Sequence, residues 1–217
     1  MTEITTNTDT VINNRLSQWL FNPFTFVAGL KALLLGLIII LLSAFIGSLG
    51  NTHFDGVLDV YFHSETPPLW CFLAEGLIDW VCMAIPLFFF GLIMSRSSFR
   101  IIDILGTQAL ARWPYLITAL AMLPNANRRF GVYLTSKFNQ NGSVVTINYT
   151  DMLIFAFAIM VTITMAIWMV SLMYRAYCLS CNVKGQRAII TFIVSLVIAE
   201  VVSKFVILSL LVKFQPL

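Results

Sequence analysis

Five ionisable side chains sit in stretches too apolar to hold them cheaply. Glu75 and Asp79 lie four residues apart in LWCFLAEGLIDWVCMAIPLFFFGLIM, residues 69–94. Glu200 and Lys204 repeat that spacing within 188–212, and Arg112 stands within 104–123. Four residues advance a helix by about 400°, so each pair occupies one stripe, one turn apart. A charge at the centre of a bilayer-spanning helix costs roughly 2.5–3.5 kcal/mol on insertion scales. Such groups are therefore protonated, wetted or paired between helices. With water access they would form a proton or ion path, or hold a polar solute. Paired and dry, they would lock the docking of three helices.

Helical rise places Asp79 roughly 15 Å and Glu75 roughly 9 Å below the outer end of their span. Lys204 comes roughly 12 Å and Glu200 roughly 18 Å below the outer end of theirs, and Arg112 roughly 12 Å in from the opposite side. All five reach a common level near the midplane. Lys204 is the base nearest in depth to Glu75 and Asp79 and is expected to pair with them. Three acids against two bases leave one carboxylate over, and Glu75, nearest the outer end, is expected to be the unpaired, wet one.

Two other groupings have ligand-like chemistry. His53, Asp55, Asp59 and His63 share one loop, but their spacing matches no recognised metal motif. Cys178-x-x-Cys181 resembles half of a redox or zinc site without its other half. Cys71, Cys82 and this pair read better as small apolar fillers than as a disulfide framework. No HExxH, GxSxG, P-loop or dinucleotide glycine pattern occurs. The expectation is a non-enzymatic chain with no cofactor, no metal and no nucleic-acid partner.

The elements that must position these residues are set by composition. The chain has 217 residues, 59% hydrophobic and 11% charged, with mean hydropathy +0.88. A soluble domain carries about a quarter charged residues, so the expected class is all-α, a polytopic transmembrane helical bundle. Five spans are expected, at about 28–49, 69–94, 104–123, 152–173 and 188–212, forming a domain over 28–217. Residues 1–27 form a polar N-terminal segment without signal-peptide character. After Asp9, a plausible N-cap, Ile12, Leu16, Trp19 and Leu20 fall at helical spacing. That suits either an interfacial helix or a simple lead-in to the first span. Gly36, Ser43 and Gly47 in span one, and Ala158, Thr162 and Ala166 in span four, make small-residue faces for close packing. Pro86 marks an expected kink. Residues 125–151 read either as a hairpin of VYLTSKF and SVVTINY or as an interfacial helix over RRFGVYLTSKF.

Basic residues orient the chain. Arg15, Lys31, Arg96, Arg100, Arg175, Lys184 and Arg187 gather at one set of ends. Arg128, Arg129, Lys137 and Lys213 gather at the other. The positive-inside rule favours a cytoplasmic N-terminus and an external C-terminus, with Arg128–Arg129 as the dissenting pair. The implied partners are the lipid bilayer and a protein partner or second copy. The implied location is a bacterial inner membrane.

Three runs carry a resemblance: Asn22-Pro23-Phe24-Thr25-Phe26 before span one, DILGTQALARWP at 103–114, and NVKGQRAIITFIVSLVIAEVVSK at 182–204. Together they resemble a bacterial member of the Yip family, five-span membrane proteins whose eukaryotic relatives interact with Rab GTPases. The resemblance covers the chain from about residue 20. It implies five spans and a cytoplasmic N-terminus. The longer acidic N-terminal region of eukaryotic members is not evident here, so Rab-type partner binding is not carried over. On this reading the protein is a membrane-organising or partner-binding scaffold. The alternative is a proton-coupled or passive small-solute transporter or channel using Glu75, Asp79, Arg112, Glu200 and Lys204.

Overall fold

The computed structural model describes residues 18–54, 56–62, 67–95, 97–138 and 146–214. Of the N-terminal segment, a helical turn at 18–21 and a 3-10 turn, Pro23–Thr25, are described. Trp19 stacks on Phe26 at 5.1 Å between ring centroids. The expected helical run from Asp9 lies mostly outside the described residues.

Seven α-helices follow among the described residues: α1 (Gly29–Gly50), α2 (Leu69–Met94), α3 (Ile101–Leu110), α4 (Pro114–Met122), α5 (Asn125–Phe138), α6 (Tyr149–Cys181) and α7 (Gln186–Phe214). Between α1 and α2, β1 (Thr52–His53) and β2 (Tyr61–Phe62) form one antiparallel bridge, Thr52 opposite Phe62 and His53 opposite Tyr61. Among the described residues four helices, α1, α2, α6 and α7, are long and apolar enough to cross a membrane. Asn51 and Asn182, both in the left-handed conformation, terminate α1 and α6. Helix α6 runs well past the expected end at 173 and takes Arg175 inside it. Pro86 lies within an uninterrupted α2.

The expected span at 104–123 is two helices, not one. Pro114 has no N–H, so the carbonyl of Leu110 loses its ordinary partner four residues on. The backbone tightens instead: Arg112 N–H donates to Ala109 O and Trp113 N–H to Leu110 O, each at 3.2 Å, three residues back. Neither α3 nor α4 alone is long enough to cross a bilayer. The chain nevertheless stays in helical turns through residues 111–113, and the stretch from Ile101 to Met122, turn included, is as long as α1.

The face that α1 buries is small-residued, unlike that of a helix in a soluble bundle. On α1 the buried positions are Gly29, Ala32, Gly36, Ile40, Ser43, Ala44 and Gly47, while Leu34, Leu35, Ile38 and Phe45 point outward. With lipid outside, large side chains gain nothing by turning inward, and small ones let backbones approach. The tightest approach is α1 on α3. A Cβ at Gly36 would stand 2.4 Å from Leu110 N, and one at Gly106 would stand 2.5 Å from Gly29 O. These helices run parallel, since Gly29 also neighbours Asp103 and Gly50 neighbours Met122. Helix α6 runs against them: Ser180 Oγ donates to Asp103 O, and Gln108 Nε2 donates to Met173 O at 3.0 Å. In α2, Gly91 meets Cys181, and in α7, Thr191 meets Tyr177. Thus α1, α3–α4 and α7 run one way, α2 and α6 the other. For residues 125–138 the helix is the structure, held on α6 by Phe130 stacked on Phe155 at 4.1 Å.

Candidate functional site

Glu75 and Asp79 occupy one face of α2, and both are buried, at 1% and 0% exposure. They have different partners, and neither pairs with Lys204. His53 approaches Glu75 with Nδ1 2.8 Å from Oε1 and 3.1 Å from Oε2. An ionised Glu75 can only accept, which makes Nδ1 the hydrogen-bearing nitrogen. The ring of His53, itself buried, stacks on Phe72 one turn before Glu75, at 4.2 Å. The expectation of an unpaired, wet Glu75 is therefore corrected: it is dry and bonded.

The chain that brings His53 inward continues as a plug. Phe54 stacks on Tyr115 of α4 at 4.8 Å, and the Tyr115 hydroxyl donates to Val57 O at 2.7 Å. Gly56, at φ +120°, presses its backbone on Glu200: a Cβ there would stand 2.6 Å from Oε1. Leu58 N–H donates to Glu200 Oε2 at 3.0 Å. Lys204 Nζ bonds Asp59 Oδ2 at 2.7 Å and lies 3.3 Å from Glu200 Oε1. Lys204 thus belongs to this loop and its own helix, not to α2. The loop supplies a ring, a carbonyl, an amide and a carboxylate, each to a polar group of the bundle.

Asp79 and Arg112 make no ion pair with each other within 4 Å. The 3-10 turn at 111–113 sets Arg112, 3% exposed, into the core on the same side as Asp79. Both line a cavity of about 20 Å³ together with Ser43, Gly76, Phe54 and Tyr115. Neither Asp79 oxygen, nor Nε and Nη2 of Arg112, makes a well-formed hydrogen bond to a described residue, although the Ser203 hydroxyl of α7 lies beside the Asp79 carboxylate. The volume is that of about one water.

The five residues expected to meet at one level are therefore divided: His53–Glu75 and Asp59–Lys204–Glu200 are bonded groups, while Asp79 and Arg112 share only the wall of one cavity. Sequence reasoning missed His53, Asp59 and Tyr115 as members. A signal was available: one carboxylate was in surplus, and the adjoining loop held a histidine. The loop grouping of His53, Asp55, Asp59 and His63 is divided. His53 turns to Glu75 and Asp59 to Lys204, while Asp55 and His63 lie outside the described residues. Cys178 and Cys181 are free thiols, as are Cys71 and Cys82.

A separate ion pair lies where α5 meets α6. Arg129 grips Asp151 with two bonds, Nε to Oδ2 at 2.7 Å and Nη2 to Oδ1 at 2.6 Å. That grip holds the Arg129 guanidinium above its ordinary range.

No protein-family model matches the chain, and neither a curated protein nor a solved structure matches it.

Proposed function

We propose that the chain is a non-enzymatic, five-span protein of a bacterial inner membrane that works as a membrane-organising or partner-binding scaffold. Its intramembrane charges act as a lock. The observation that supports this best is the loop at 52–59, which reaches Glu75, Glu200 and Lys204 and bonds each of them. A transport site needs room for a solute and a route to it. The cavity at Asp79 and Arg112 has the room of about one water.

Five crossings are favoured because α3 and α4 continue in one helical direction from the Gly29 end of the bundle to the Gly50 end. The Yip-family resemblance agrees with that count. A cytoplasmic N-terminus follows from Lys31, Arg100, Arg175, Lys184 and Arg187, which lie toward the Gly29 end.

The second reading, a proton route, has one observation in its favour: the buried Asp79 carboxylate lines a water-sized cavity and makes no ion pair among the described residues. Vesicles loaded with a pH-sensitive dye and given a potassium potential separate the two. The scaffold reading expects proton flux no greater than in protein-free vesicles, with Asp79→Asn and Glu200→Gln failing through loss of thermal stability. Flux above that background, abolished by those substitutions, would establish the proton route instead.

A further inference from the structure

The Arg128–Arg129 pair was out of place in the charge pattern of the sequence, and only half of it is neutralised. Arg129 is spent on Asp151, and Asp151 on Arg129. Arg128, exposed beside them, makes no ion pair among the described residues. Helix α5 holds Arg128, Arg129 and Lys137 and no acid. Between α5 and the start of α6 lies an open groove of about 420 Å³, lined by both arginines, Asp151, Val132, Ile147 and Asn148. With Asp151 cancelling Arg129, its lining carries one positive charge in surplus.

The depth of this groove follows from α6. No charged residue occurs between Asp151 and Arg175, a separation of about 36 Å along the helix. A hydrocarbon core is about 30 Å thick, so the Arg129–Asp151 pair falls at headgroup level. Immediately below it, Met152 and Leu153 of α6 are about half exposed, as is Val132 of α5. A cation at the headgroups above apolar side chains is matched by a molecule with a phosphate at one end and acyl chains at the other.

We propose that this groove binds an anionic phospholipid, its phosphate held by Arg128 and its chains lying along Val132, Met152 and Leu153. A zwitterionic lipid would bring its own ammonium against a site already in positive surplus, so the preference is for a lipid with net negative charge. The inference rests on the reading of α6 as a membrane-crossing helix.

Native mass spectrometry of the detergent-purified full chain tests it, with phosphatidylglycerol, phosphatidylethanolamine of the same acyl composition, and inorganic phosphate as separate probes. Phosphatidylglycerol should be retained over phosphatidylethanolamine by about fivefold, the contribution of one basic residue at an anionic surface. Arg128→Gln should abolish that preference and Arg128→Lys should keep most of it, with both variants melting like the wild type in lipid-free detergent. Equal retention of the two lipids, or a preference untouched by Arg128→Gln in a folded protein, would overturn the site. Inorganic phosphate stabilising the protein as well as phosphatidylglycerol would do the same, by showing a soluble-anion site. Alkaline carbonate extraction of membranes keeps the two levels apart. Lost lipid preference in a chain that stays with the membrane sinks only the groove, whereas release of the chain sinks the crossing of α6 beneath it.

Discussion

A carboxylate at the depth of Glu75 needs a donor, and His53 supplies one from a neighbouring loop at 2.8 Å. Removing one partner of a buried pair strands the other, which typically costs about 3–5 kcal/mol, more than the pair itself contributes. His53→Leu should therefore destabilise the protein by about that amount in chemical unfolding in detergent. Replacing both, as His53→Leu with Glu75→Leu, should recover much of the loss, because no buried charge is then left over. Strict additivity of the two substitutions would mean that the contact does not hold the loop in place.

At the scale of elements, the decisive contact is the glycine-mediated approach of α1 to α3. Gly36 admits the backbone of Leu110, and even one methyl group there would overlap Leu110 N and Ala109. Gly36→Ala should lower stability by about 1–3 kcal/mol through overpacking. Leu35→Ala, on the outward face one residue away, should change it little. Equal effects, read from melting temperatures in one detergent, would show that α1 and α3 are not closely docked. The break between α3 and α4 belongs to the same scale. By tightening at Pro114, the backbone places Arg112 toward Asp79 rather than leaving it to climb along a straight helix toward the headgroups.

For the whole molecule, the number of crossings turns on whether α3–α4 traverses the bilayer. Single cysteines at Ser97, Thr150 and Lys184, introduced after the four native cysteines are removed, answer this with an impermeant thiol reagent on intact cells. All three positions are exposed in the folded chain. Five crossings with the N-terminus inside predict labelling at 150 and protection at 97 and 184. A re-entrant α3–α4 would put 97 and 150 on the same side and 184 opposite. A reporter at Val57 would be uninformative, because that residue of the loop is buried against the bundle.

The membrane character, the helical class and the placing of Glu75 and Asp79 on one face were legible in the residues, because hydropathy and a 3.6-residue period are local properties. So was the small-residue face of α1, since close helix approach in lipid requires small side chains. The partners were not legible. Depth along a helix axis suggested Lys204 for Glu75 and Asp79, but depth says nothing of azimuth or of what a loop brings in. His53 is far from Glu75 in sequence, and only the fold of residues 52–54 and 56–59 back into the bundle carries it there. The same fold brought Asp59, still half exposed, to Lys204, and Pro114 divided one expected span into α3 and α4. Local pattern decides which groups must be satisfied; the three-dimensional path of the chain decides by whom, because ion pairs depend on distances that no sequence period encodes.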